Sequence, residues 1–429
     1  MTPMARFQYY AERIARHNGA LNAYLHLRLE AARREAEAAE ARYNAGRPLS
    51  AIDGWCVAVK ANIAVQGMPH HAGISAYRDI VAEDDAEVIE RLKAGGAVIL
   101  GIVNMHEGAL GATTDNAFFG RTYNPWREGF TPGGSSGGSG AAVAAGLCDF
   151  ALGSDTMGSV RIPSAYCGVQ GIKPGPDLVP NDGVLALSHT LDTVGPHARS
   201  ISALRAALAV MTGREMPALG TELNGLRIAI WDGAGRVGME AAVEDGLAVA
   251  AAKIEGAGVE AGIAEPSGYL YGMSRRAGLL VSEVEAGEIH AEMLSVRAED
   301  FSSLFRKLMA WGAARPPDEV QAAHDHLRQV ALRADQIFET HDFVIAPVAP
   351  QTAFDFGNPA PENQADFTAW ANFAGLPAVA VYCGLSAEGL PLSLQVIGPG
   401  GADARVLDVA EALERLFGAP PMPPAFSDR

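Results

Sequence analysis

Apolar residues fall along this chain in short bursts separated by amphipathic stretches, the pattern of a sheet interleaved with helices. The clearest bursts are GWCVAVKANIAV (Gly54–Val65), AVILGIVN (97–104), GLRIAIWDG (Gly225–Gly233) and DFVIAPVAP (342–350), with AVAVYCGL and LPLSLQVIG near the end. Helical spacing fills the gaps. It covers about Leu25 to Asn44, rich in Ala, Glu and Arg and stopped at Gly46; the stretch after Asp84 and Asp85, which should cap it, as far as Gly95-Gly96; the stretch after Met239; Asp318 to His341; and 404–418. The tract AAVAAGL (141–147) is small and apolar on every side, so it predicts a fully buried helix. Four regions follow: a helical start over about 1–48, a strand- and glycine-rich core over about 50–200, a polar helical flank over about 214–342, and sheet and helix elements over about 343–418.

Composition narrows the class. With 429 residues, 48% of them apolar and 19% charged, the chain can bury a large core, and one big domain is expected. The formal charge of −17 and the absence of a basic stripe argue against direct contact with nucleic acid. The first residues carry Arg, Glu and His where a signal peptide would be apolar, and no run approaches the ~18 apolar residues of a membrane span. A cytoplasmic protein that does not touch membranes is expected. Cys56, Cys148, Cys167 and Cys383 sit in apolar settings without zinc-ligand spacing and read as reduced core thiols.

Candidate chemistry concentrates between Thr131 and Lys173, where two serine-bearing glycine turns flank the buried AAVAAGL helix. Such turns can expose a hydroxyl and aim backbone amides at developing negative charge. A phosphate loop would need Lys then Ser or Thr after the glycines, but Gly138 is followed by Ser139. A dinucleotide fingerprint would need Gly or Ala at position 143, which is Val143. Gly133-Gly134-Ser135-Ser136-Gly137 matches G-x-S-x-G, yet the polar loop NPWREGFTP precedes it where a nucleophile elbow needs a strand. Upstream, Lys60 interrupts an apolar strand and must either snorkel to solvent or lose its proton; the strand alone leaves both open.

One family accounts for both turns and the lysine together. GGSSGGS at Gly133–Ser139, GSDTMGSVRIP at Gly153–Pro163 running on to Cys167-Gly168, and VAVK at Val57–Lys60 resemble the signature of the amidase signature family. Asn104 to Glu107, Asn124-Pro125-Trp126, Leu191 to Pro196, Gly375-Leu376-Pro377 and Gly389-Leu390-Pro391 resemble its landmarks elsewhere, so the likeness spans nearly the whole chain. The resemblance implies a single large α/β domain, a mixed β-sheet core covered by α-helices on both faces. It implies an amidohydrolase with Ser159 as nucleophile, Ser135 as a bridging serine beside a cis peptide bond, and Lys60 as base. The backbone amides of Thr156, Met157, Gly158 and Ser159 would form the oxyanion hole. No cofactor and no metal is implied, and the partner is a small-molecule amide; a homodimer is left open.

The chain departs from the family pattern at Met157, where relatives carry a smaller residue, and at Ala61, where they carry an aspartate. Met157 either narrows the acyl pocket or shifts an oxyanion amide. His70 and His71 are expected in a solvent-facing loop, and His324 and His326 on a helix surface. His106 and Glu107 lack a third metal ligand, and Arg161 is expected to bond loop carbonyls beside the nucleophile. Two other readings stay open. One is the glutaminase-type subunit of a tRNA-dependent amidotransferase, and the other is a non-catalytic small-molecule-binding relative.

Overall fold

The computed structural model describes residues 1–233 and 235–427. The chain begins with α1 (Pro3–Leu21), β1 (Tyr24–Leu27) and α2 (Leu29–Asn44), then crosses the middle of the molecule as β2 (Cys56–Lys60), α3 (Glu87–Ala94) and β3 (Val98–Val103). A small hairpin, β4 (Asp115–Asn116) and β5 (Gly120–Arg121), precedes α4 (Gly137–Ala144), β6 (Phe150–Asp155), α5 (Arg161–Cys167), β7 (Gln170–Lys173), β8 (Thr193–Ala198) and α6 (Ile201–Thr212). The flank supplies β9 (Arg227–Ile230), α7 (Ala241–Gly256), β10 (Glu260–Ile263), α8 (Gly272–Ile289), α9 (Ala291–Val296), α10 (Ser303–Ala313) and α11 (Pro317–Arg333). The chain closes with β11 (Phe343–Pro347), α12 (Ala369–Phe373), β12 (Ala378–Leu385), β13 (Pro391–Ile397) and α13 (Asp403–Phe417).

Among the described residues eleven strands form one mixed sheet in the order β1-β3-β2-β6-β8-β7-β12-β13-β11-β9-β10. β2 runs parallel to both β3 and β6, and β8 runs antiparallel to β6 and β7. Both faces of the sheet are covered, so alternate residues of one strand enter different cores. Val57 and Val59 join the larger apolar cluster with α3 and α6, while Cys56 and Ala58 join the cluster built on α1, α2 and α4. The two-residue period therefore sends Lys60 towards the α4 side. No helix among the described residues is long and apolar enough to cross a membrane.

Several sequence expectations need correction. The helix expected from Leu25 begins only at Leu29, because Tyr24–Leu27 pairs antiparallel with β3 as an edge strand. Asp84 and Asp85 do not cap α3. Its cap is Ala86, while Asp85 accepts from Gln66 N at 2.8 Å and Lys93 Nζ at 2.6 Å. His71 does not face solvent but is buried and stacked on Phe119 with ring centroids 4.2 Å apart. Within the polar flank the strand expected at Gly225–Gly233 is present as β9, but β10 beside it at the far edge of the sheet was not expected.

The buried α4 explains its own composition. A Cβ at Gly138 would lie 2.3 Å from Asn104 O and 2.7 Å from Asn104 N at the end of β3, so only glycine lets the first helical turn close on the sheet. Gly138→Ala should lower the urea midpoint by an overpacking cost of about 1–3 kcal/mol. Gly19→Ala, within α1 and with nothing inside 4 Å of the added Cβ, should raise it by up to about 1 kcal/mol. Equal midpoints for the two variants would contradict this packing account.

Candidate active site

The apolar strand β6 ends in Asp155, and the chain turns there through Thr156–Val160 into α5. Asp155 is fully buried, and its carboxylate organises that turn. Oδ1 accepts from Gly158 N at 2.7 Å, and Oδ2 accepts from Val160 N at 3.1 Å and Arg161 N at 3.4 Å. Arg161 adds Nε to Oδ2 at 3.1 Å and Nη2 to Oδ1 at 3.0 Å. Burial alone would raise the carboxyl's pKa, but the Arg161 charge and these hydrogen bonds outweigh it and hold Asp155 well below the usual carboxylate range. Arg161 also donates through Nη1 to Thr368 O and Gln395 Oε1, each at 2.9 Å. The expected bond to a loop carbonyl is present, but the chief partner of Arg161 is Asp155.

Lys60 does not snorkel. Its side chain is 0% exposed, and Nζ donates to Ser135 Oγ at 2.7 Å and to Ser154 Oγ at 2.8 Å. Desolvation lowers its pKa to about 7 even though Asp192 and Asp155 pull it upward. Asn62 Nδ2 donates to the same Ser154 Oγ at 3.2 Å, which fixes that hydroxyl beside the amine. Ser135 follows a cis Gly134–Ser135 peptide, and its carbonyl accepts from His106 N at 3.0 Å. The next residue joins the two glycine turns, since Ser136 N donates to Ser159 O at 3.3 Å. The structure thus gathers Lys60, Ser135 and Ser159 from three separate parts of the sequence.

Ser159 is half-buried and opens onto a cavity of about 200 Å³ walled by Thr156, Met157, Leu187, Arg275 and Gln364, among others. Met157 narrows this space. Its carbonyl accepts from Thr368 Oγ1 at 2.6 Å, so the turn is held, while its sulfur reaches α8, 2.9 Å from where a Cβ on Gly278 would stand. Gly158 departs from the expected oxyanion role because its N–H is already taken by Asp155. The half-buried Asp192 accepts from Thr156 Oγ1 and from Leu187 N at 2.8 Å, and so braces the turn from the other side.

The remaining candidates lie outside this centre. Glu107 Oε1 accepts from Ser302 N at 2.9 Å, and His106 contacts Thr113 Oγ1 at 3.3 Å through Nδ1. His326 is half-buried rather than a plain surface residue, with Nε2 2.8 Å from Ser274 Oγ. Sequence reasoning missed Ser154, Asn62, Asp192 as a brace, and Arg275. The first three stand inside or beside recognised motifs, whereas Arg275 lies on α8 with no local signal at all.

The sequence model of the amidase family matches residues 6–407. A glutamyl-tRNA(Gln) amidotransferase subunit from Synechococcus sp. (strain RCC307) is 34% identical across 94% of this chain and 92% of its own length. Among solved structures, a chain from a vestigial protein complex that bears on the origins of an s-triazine catabolic enzyme is 30% identical. It superposes with a TM-score of 0.91 over 98% of this chain and 96% of its own. A further structure, of an amidase, gives a TM-score of 0.88 at 29% identity over 97% of each chain.

Arg161→Met would strand the Asp155 carboxylate without its counter-charge, and loss of one partner of a buried pair costs about 3–5 kcal/mol. Denaturant unfolding should show a loss of that size; a change below about 1 kcal/mol would remove the buried pair from the stability account. The Lys60 amine sets a second expectation. If its neutral form must accept the serine proton, the rate at which a phosphonate labels Ser159 should rise with pH and reach half its plateau near pH 7. A rate that is flat from about pH 5.5 to 9 would exclude Lys60 as the titrating base.

Proposed function

Because the chain belongs to the amidase family, we propose that it breaks a carboxylic amide through an acyl-enzyme on Ser159. The observation that carries this reading is the 2.7 Å contact between Ser135 Oγ and a fully buried amine whose desolvation lowers its pKa to about 7, so that the neutral form is well populated near neutrality. A serine hydroxyl attacks only when its proton is taken, and a lysine takes it only when unprotonated. Neutral Lys60 receives the proton of Ser135, and Ser135 that of Ser159, as Ser159 Oγ forms its bond to the substrate carbonyl carbon. The amides of Thr156, Met157 and Ser159 are left for the oxyanion. Collapse breaks the C–N bond, and the proton returns through Ser135 to the leaving ammonia or amine. Water then attacks the ester by the same relay, releasing the acid and restoring Ser159.

A second reading shares every one of these steps and differs in the fate of the ammonia. Several relatives at 30–35% identity are amidotransferase subunits, which favours a chain that hands ammonia to a partner over a free-standing amidase. In that case the physiological partner is another protein, and hydrolysis by the chain alone is the uncoupled half of its activity.

Ammonia and amine release from aliphatic, aryl, dicarboxylic and ureido amides should be abolished in Ser159→Ala. In Lys60→Ala it should fall by at least ~10²-fold near neutrality, the range of a lost general base, and recover in part in alkali. Turnover that survives in Ser159→Ala would refute the acyl-enzyme. No turnover of any amide, together with a Ser159 inert to phosphonate, would favour a binding protein. Recovery from its native source in a stable heteromeric complex would select the amidotransferase reading.

A further inference from the structure

Two polar groups in the cavity that opens on Ser159 are built differently from the rest of its wall, which is largely apolar: Leu110, Met157, Ile162, Leu187 and Leu279. Among the described residues Arg275 is the one cation lining it. Its side chain is only 11% exposed, yet among the described residues it spends a single donor on the protein, Nε to Asp366 Oδ1 at 2.7 Å. Arg161, which is fully enclosed, commits all three guanidinium nitrogens. An arginine that serves structure alone resembles Arg161; Arg275 keeps its two terminal nitrogens unspent. Asp366 is itself fixed, with its N–H donating to Asn363 O at 3.0 Å and its carbonyl accepting from Tyr269 Oη at 2.7 Å. It pins one edge of the guanidinium and leaves the edge that suits a carboxylate.

The second group is Gln364, 5% exposed. Its Nε2 donates to Pro361 O at 3.2 Å, which sets the orientation of the amide, and its Oε1 is buried with no partner. Oε1 is sealed off as the side chain stands, so a ligand N–H meets it only when the amide turns into the cavity, a turn that relieves an unfavourable unpaired acceptor. Glu362, the one acid among the described residues that line the cavity, is exposed to solvent. A space of about 200 Å³ holds a small molecule rather than a drug-sized one.

We propose that Arg275 and Gln364 select the substrate: a small amide that also carries a carboxylate, held by the free edge of Arg275, and an N–H donor, held by Gln364 Oε1. Ureido acids and related carbamoyl carboxylates satisfy both groups. This inference rests on the hydrolase reading of the site, because it places the amide carbon of the same molecule at Ser159.

Three ligands of matched length test it. In 5-methylhexanamide an isopropyl group replaces the carboxylate of glutaramate, and in 3-ureidopropionate an N–H replaces one methylene of glutaramate. Calorimetric titration of Ser159→Ala with each should give affinities that rise from the neutral amide to glutaramate to 3-ureidopropionate. Each step should be about tenfold or more, the size of a hydrogen bond to a charged or buried group. In the same background Arg275→Met should bring glutaramate down to the neutral amide, and Arg275→Lys should restore part of the difference. Gln364→Met should remove only the ureido step. Glutaramate binding no tighter than the neutral amide, no binding of any ligand, or an Arg275→Met variant that weakens all three alike would overturn the proposal. The readout needs no turnover, so the two readings fail separately. Selective binding with a Ser159 that never reacts would sink the hydrolase reading and keep the selector, whereas rapid cleavage of neutral amides without preference for the acid would do the reverse.

Discussion

One buried carboxylate holds the reactive turn in shape. Asp155 ends a strand in the interior of the sheet, far from solvent, where an unpaired negative charge would be untenable. The chain answers by folding the next six residues around it, so that two loop amides, the first amide of α5 and a guanidinium all point at the same two oxygens. The hydroxyl of Ser159 is carried on that curl. Asn372 closes the arrangement from α12 with Nδ2 to Asp155 Oδ1 at 2.9 Å, and Gln395 ties Arg161 to β13. Elements more than two hundred residues apart in sequence are thereby locked to one turn.

Lys60 faces the opposite problem with the opposite solution. Nothing neutralises it directly; the nearest groups are hydroxyls, and the carboxylates of Asp155 and Asp192 act only through space. Its proton is what gives way. The strand period decides that it meets Ser135 at all, because a slip of one residue in β2 would turn the amine to the face covered by α3 and α6. A register fixed by the parallel pairing of β2 with β3 and β6 is thus a condition for the chemistry as well as for the core.

The strands with both faces covered were legible in the sequence because they are continuous apolar runs, and Lys60, Ser135 and Ser159 were legible as a set because each sits in a dense local motif. What escaped was decided at long range. Tyr24–Leu27 looks helical beside its Ala- and Glu-rich neighbours, and becomes a strand only because β3 offers it an open edge. Asp85 looks like a helix cap but is claimed by Lys93 and Gln66. His71 is buried by Phe119, a residue of a different loop. Arg275 and Gln364 have no periodic or motif signal, and only the folded chain brings them to the same wall.

Part of the cavity wall, including its two distinctive polar groups, comes from a different stretch of sequence than the cluster of Lys60, Ser135 and Ser159. Lys60, Ser135 and Ser159 belong to the first two-fifths of the chain, whereas Arg275, Leu279 and Gln364 arrive from α8 and from the loop before α12. On the proposed reading, the polar groups that select a ligand can therefore vary apart from those that break its bond, even though Met157, Ile162 and Leu187 of the earlier stretch share the wall. Mutation of the later segments can change which ligands the cavity takes while Lys60, Ser135 and Ser159 stay unaltered, so a lineage built on this plan can alter its diet and keep the same central cluster.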